Sequence, residues 1–340
     1  MGDNNRRSER GMVSILVTMI MMIVISLIIL GISQITRSNR REQLDQQLAA
    51  QAYYAAESGI NQAVSYLAAN PTYSTNTNGR CGDFITTAGL NSTLNGGSKV
   101  SYTCLMVNPT PTSLQKAPLT QDSNTVWLVK NAAGAAFNQL EFKWVSNNTS
   151  QFSGASNTCS AAMGSAINFT KWNNWNCAFG ILRVDMVPTS GGAIPASTLQ
   201  APARTLYLVP SYGSSTTTTV LSGNAQVIYA KCEAATKLCS MKLTGHGTTS
   251  EYFVRLSMIY QDADSVQLTA TDTTGTVRFS GGQAVIDVTG KAQDQLRRIQ
   301  ARIPLTAGNT PMPNFALQST QPICKQLAVG PGLTTANSCP

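Results

Sequence analysis

The stretch Met12–Ile35, MVSILVTMIMMIVISLIILGISQI, is an uncharged apolar run of 24 residues that begins almost at the N-terminus. A run of this length crosses a hydrocarbon core of roughly 30 Å as a single helix. It exceeds the roughly 7–15-residue apolar region of an ordinary secretory signal. A short polar leader, residues 1–11, precedes it, and its last basic residue, Arg10, is followed by one glycine, Gly11. Beyond Ile35 the helical pattern runs on to Asn70, where Pro71 stops it by disfavouring helix at the preceding residue. A rod of about 87 Å over Met12–Ala69 is predicted.

The outer half of that rod changes character. Leu44, Leu48, Ala52, Ala55, Gly59, Ala63 and Leu67 recur every three or four residues, with glutamines and Asn61 elsewhere on the wheel. Such a stripe requires a partner along one face. The rod is therefore read as half transmembrane and half amphipathic, a spine for whatever follows. Gly59 stands out, because Gly inside a helix costs about 1 kcal/mol relative to Ala. Tyr53, Tyr54 and Tyr66 are expected to pack against the globular part.

Leader, glycine and apolar helix together resemble the class III signal of type IV pilins and pseudopilins. With the AAESG block at Ala55–Gly59, the region from roughly Glu9 to Ala69 looks most like the N-terminus of PilX-type minor pilins. That resemblance implies cleavage by a prepilin peptidase between Gly11 and Met12, with Met12 as the N-methylated first residue. Its implied partners are other pilin and minor pilin subunits, the peptidase and an inner-membrane assembly platform. Major pilins carry a Glu at the fifth mature position, which here is Leu16. A carboxylate in hydrocarbon persists only with a partner. A subunit that starts or tips a filament has no preceding neighbour to neutralise, so the resemblance implies a tip-placement role for Leu16. The rival reading is a membrane-anchored adhesin or DNA-binding competence protein that does not polymerise.

Of the 340 residues 12% are charged and 42% hydrophobic, and the net charge is +8. Removing leader and span leaves about 300 residues, enough for a sizeable core. Basic residues flank the span on both sides, so charge does not set its orientation. The cysteines do: Cys81, Cys104, Cys159, Cys177, Cys232, Cys239, Cys324 and Cys339 all follow the span. An even number in an exported region reads as disulfides, sequential pairing being the simplest of about 105 connectivities. Zinc is weakened by the absence of any C-x-x-C and by the single histidine, His246. The bulk of the chain is expected outside the cytoplasmic membrane, anchored by one helix, at the cell surface or in a pilus.

From Pro71 to Leu305 the pattern is that of strands in polar loops. The predicted strands are 125–130, 139–145, 180–187, 205–209, 226–230, 240–243, 252–260, 266–271, 276–279, 284–289 and 297–303. Phe142 and Trp144 alternate with Glu141 and Lys143, as half-buried strands do. The last two strands flank Gly290-Lys291 and are expected to form a hairpin. Residues 306–340 form a Pro/Gly-rich, low-charge tail. The fold class is thus α+β: a long N-terminal helix (12–70), a β-rich disulfide-bonded domain (71–305) and a tail.

Catalysis finds little support, and no cofactor or metal is expected. His246 sits between two glycines and reads as a solvated loop residue. No phosphate-binding G-x-x-x-x-G-K-[ST] loop occurs. Asp262, Asp264 and Asp272 miss the EF-hand spacing and read as loop acids. Trp172 and Trp175 read as a cover over a small disulfide-linked core, or as a sticky platform. Arg297, Arg298 and Arg302 are the densest basic group beyond the rod, yet the low charge density argues against an extended nucleic-acid track.

Overall fold

The computed structural model describes residues 6–94, 99–147, 179–189, 203–212, 218–233 and 235–305. The elements run α1 (Arg6–Ala69), α2 (Asp83–Ala88), β1 (Val100–Asn108), β2 (Ser113–Lys116), β3 (Asn124–Lys130), β4 (Gln139–Ser146) and β5 (Ile181–Pro188). There follow β6 (Arg204–Tyr212), β7 (Thr218–Val220), β8 (Ala225–Glu233), β9 (Leu238–Thr244) and β10 (Glu251–Ile259). The last are β11 (Ala263–Asp272), β12 (Gly275–Thr276), β13 (Gln283–Ala292) and β14 (Gln295–Pro304). The class is α+β, a long N-terminal apolar helix leading into β structure.

The described chain divides into two compact units, and the 71–305 segment is shared between them. The first unit joins residues up to Thr110 with Ala284–Leu305. In it α1 packs on a three-stranded sheet of order β1-β13-β14. β1 and β13 pair antiparallel from Val100↔Ala292 to Asn108↔Val285. The core beneath the helix comprises Ala56, Ala63, Leu67, Phe84, Tyr102, Leu105, Val107, Ala284, Ile286 and Val288. The Cys81–Cys104 disulfide ties the α2 loop to β1, Cα to Cα 4.6 Å.

The second unit, Pro111–Gln283, is inserted between β1 and β13. Its sheet has the order β12-β11-β4-β9-β8-β6-β5-β10-β3, with β2 on β11 and β7 on β9. Every second residue faces one core: Leu140, Phe142 and Trp144 from β4 meet Leu206, Leu208, Val254 and Leu256. Glu141, Lys143 and Val145 lie on the other, half-exposed side, as alternation requires. Cys232 and Cys239 face each other across β8 and β9 and close the hairpin as a disulfide, Cα to Cα 4.0 Å.

Two local expectations are corrected. The 276–279 strand shrinks to Gly275–Thr276, because the chain leaves β11 after Val277 and bridges Phe279 to Asn131. The β13–β14 turn falls at Gln293-Asp294 rather than at Gly290-Lys291, with Gln293 in the left-handed region at φ 50°. Gly290 stays inside the strand because α1 lies directly over it.

Candidate functional site

The region that sets this chain apart is α1 with the small sheet it covers. The helix runs without a break from Arg6 through the Gly11–Met12 junction into the apolar run. Beyond their helical backbone, Gly11 and Met12 lie outside what is described. From Ser14 to Ile35 every side chain faces outward, Leu16 at 59% exposure. None of the described residues covers this section; it is long and apolar enough to cross a membrane. Its hydroxyls are compatible with hydrocarbon, for Thr18 donates to the Ile15 carbonyl and Ser26 to the Met22 carbonyl.

The amphipathic stripe is only partly buried. Ala52, Ala55, Gly59, Ala63 and Leu67 lie against the sheet, and Leu48 is half-buried. Leu44 is 58% exposed, a correction: the covered face begins at Ala52, about two turns later than the stripe itself. Two glycines make the close approach possible. Gly59 faces Val288 and the Tyr102 ring, while a Cβ on Gly290 would strike the Ala52 carbonyl oxygen. The Tyr102 hydroxyl lies 2.7 Å from Gln62 Oε1 and 3.0 Å from the Asn91 carbonyl oxygen, and burial pushes its pKa up.

The tyrosines divide. Tyr66 packs edge-on against Tyr73 and Phe84, centroids 5.6 and 5.3 Å away. Among the described residues Tyr53 and Tyr54 have no packing partner in the domain; both are exposed and touch each other. They sit on the helix face opposite Ala52, Ala55 and Ala56, so the rotation that buries the alanines turns the rings outward.

The basic group on β14 is not one patch. Asp287 on β13 holds Arg298 through two short bonds, 2.7 Å to Nε and 2.6 Å to Nη2. Arg302 is partly buried, and that burial lowers its pKa. Arg297 lines a groove beside α1 with Ser38 and Arg41.

His246 is not solvated. It is 5% exposed, packs edge-on to Phe137 and Tyr252, and its Nδ1 lies 3.2 Å from the Tyr252 hydroxyl. Burial first, and the nearby Arg204 charge second, hold its pKa below the ordinary histidine value. Burial likewise pushes the Tyr252 hydroxyl up to about 12, against the pull of Arg204. The flanking glycines disguised a core position; the signal was the aromatic Tyr252 six residues on.

The three loop acids are not brought to one point. Asp262 accepts from the Gln121 amide, and Asp264 faces solvent. Asp272 accepts from the Thr274 hydroxyl and amide, the Gly275 amide and Asn131 Nδ2, which hold its pKa at about 2. Among the described residues no group of His, Cys, Asp and Glu is placed to hold a metal. Trp172, Trp175, Cys159, Cys177, Cys324, Cys339 and the 306–340 tail lie outside the described residues. No protein-family model, curated protein or solved structure matches the chain.

Proposed function

We propose that this chain is a minor-pilin-like subunit, processed by a prepilin peptidase and built into, priming or capping a type IV pilus-like filament. The observation that carries the reading is the division of one continuous helix into a bare apolar section and a section seated on its own sheet. A simple anchor needs only about 20 residues to span and has no use for the next ten turns. A filament subunit uses the same rod twice, first in the bilayer and then beside its neighbours. The cysteines bonded in the outer units fit an oxidising compartment. In this reading Gly11 and Met12 form the processing junction and Leu16 fits a position with no preceding subunit. Gly11 also lowers local helix stability by about 1 kcal/mol, which eases the unwinding that proteolysis needs.

The test is N-terminal sequencing of the protein from its native membrane and from sheared surface filaments. A methylated Met12 is expected, and Gly11→Val should leave an uncut chain absent from filaments. Normal maturation of that variant, or an intact Met1 on all of the protein, overturns the proposal and leaves a membrane-anchored surface protein.

A further inference from the structure

Arg204 stands where the sheet of the larger unit calls for an apolar residue. On β6 it alternates onto the same face as the core residues Leu206 and Leu208, while Ala203 packs with Val187 and Phe253 on the opposite side. Met186 and Val254, in register with it on β5 and β10, belong to the same core. Arg204 is half-buried, and its Nη1 is shut away from solvent without a hydrogen-bond partner. A buried guanidinium is costly unless it is paired. Among the described residues no ion pair joins Arg204. Asp185 and Glu251 face the other side, where Arg255 and Lys130 hold them. The segments of this unit outside the described residues contain no Asp or Glu.

A second unpaired atom lies beside it. The loop after β9 carries His246 inward between Gly245 and Gly247, both at positive φ (71° and 118°). The ring packs on Phe137 and Tyr252, and its Nε2 is buried without a hydrogen-bond partner. Beyond the larger effect of burial, the Arg204 charge pulls down the pKa of both His246 and Tyr252, which places the guanidinium near them. Tyr252 has one hydroxyl proton, and it goes to the His246 carbonyl oxygen at 3.0 Å. Nδ1 is therefore the donor across the 3.2 Å contact with the Tyr252 oxygen, and neutral His246 keeps its lone pair on Nε2. Among the described residues, Arg204 on β6 and Tyr252 on β10 are the charged and titratable groups that act on this ring. Two buried orphan atoms near each other, one of them on an uncompensated cation, are the signature of a missing ligand.

We propose that Arg204 and His246 form a binding site for a small oxyanion, whose oxygens accept hydrogen bonds from Arg204 Nη1 and from His246 Nε2 once that nitrogen is protonated. The anion neutralises the guanidinium, and its charge favours the imidazolium, so one proton from solvent enters with it. Water in the same place offers hydrogen bonds but leaves Arg204 without a counterion. The half-buried Arg204 side chain still meets solvent and marks the way in. The site lies wholly within the larger unit and is independent of the filament reading.

The test uses the full chain in uncharged detergent micelles with isotope-labelled histidine, so that nuclear magnetic resonance follows the single imidazole. Sodium sulfate and sodium acetate are titrated in against sodium chloride at equal ionic strength. A saturable shift of the His246 signals is expected, with an imidazole midpoint that moves to higher pH when the site is filled. Saturation by either anion supports the site, and the tighter binder gives the class, tetrahedral oxyanion or carboxylate. Arg204→Gln should weaken binding by about tenfold or more, the share of one charge-assisted hydrogen bond. Arg204→Lys should keep part of it. The spread of the amide signals reports whether each variant is folded. An equal response in folded Arg204→Gln, or an equal response to chloride, overturns the site. Should Arg204→Gln fail to fold, the native chain decides: no saturation, or a midpoint unmoved by both anions, overturns it as well.

Discussion

Gly59 on α1 and Val288 on β13 are in such close contact that a methyl group on Gly59 would fall 2.8 Å from Val288 Cγ1 and 3.1 Å from the Tyr102 ring. Val288 is β-branched and stiff, so it cannot swing aside. Gly59→Ala gains about 1 kcal/mol of helix propensity and loses about 1–3 kcal/mol to overpacking. A net loss is expected, read as a lower denaturant midpoint. The double variant with Val288→Ala should recover part of it, and strict additivity of the two changes would show that the contact carries no coupling.

His246 is the only histidine in the chain, which isolates its titration. Its native pKa is depressed, so the unfolded chain takes up a proton below about pH 6.5 while the native chain resists it. Stability should therefore fall as pH drops from about 6.5 until the native value is passed. A thermal-unfolding series across this range should show the slope, and His246→Gln should flatten it.

Asp272 governs a separate acid limb. Its bonds from Thr274, Asn131 and Gly275 hold its pKa at about 2, below the ordinary 3.8. The stability they supply is complete above the ordinary value and is lost as pH falls toward 2. In Asp272→Asn the step in this window should vanish from an acid-unfolding curve. A step unchanged in position and size would assign it to other carboxylates.

The two disulfides differ in reach, spanning sequence separations of 23 and 7. Loop-closure entropy assigns about 3 kcal/mol to Cys81–Cys104 and about 2 kcal/mol to Cys232–Cys239. The Cys81→Ala/Cys104→Ala double variant should accordingly lower the denaturant midpoint more than Cys232→Ala/Cys239→Ala. The reverse order would place their effect in native packing.

Much of this fold is legible in the sequence where periodicity is undisturbed. The alternation in β4 and the helical run ending before Pro71 correspond to elements within a residue or so. β1 escaped because the register shifts between Tyr102 and Cys104, which breaks the period of two in VSYTCLMVN. α2 is too short to declare a period, and its glycine flanks at Gly82 and Gly89 read as loop. The stripe on α1 was visible, but its covered length was not. How far the sheet extends along the helix is set by β13 and β14, some 230 residues away in the chain. The buried setting of His246 depends in part on Phe137, more than 100 residues earlier, which its glycine flanks do not announce.

The insertion of Pro111–Gln283 between adjacent strands dictates an order of assembly. β13 is the middle strand of the small sheet, and it emerges only after the whole larger unit has been made. As the chain is made, Ala52 to Leu67 remain uncovered while the inserted unit, with its own core, is completed. Only when residues past Ala284 arrive can β1 find its partner and the glycine seam close. A chain cut off before that point would keep its apolar helix and its inserted unit yet leave the Ala52 to Leu67 face without the sheet that covers it.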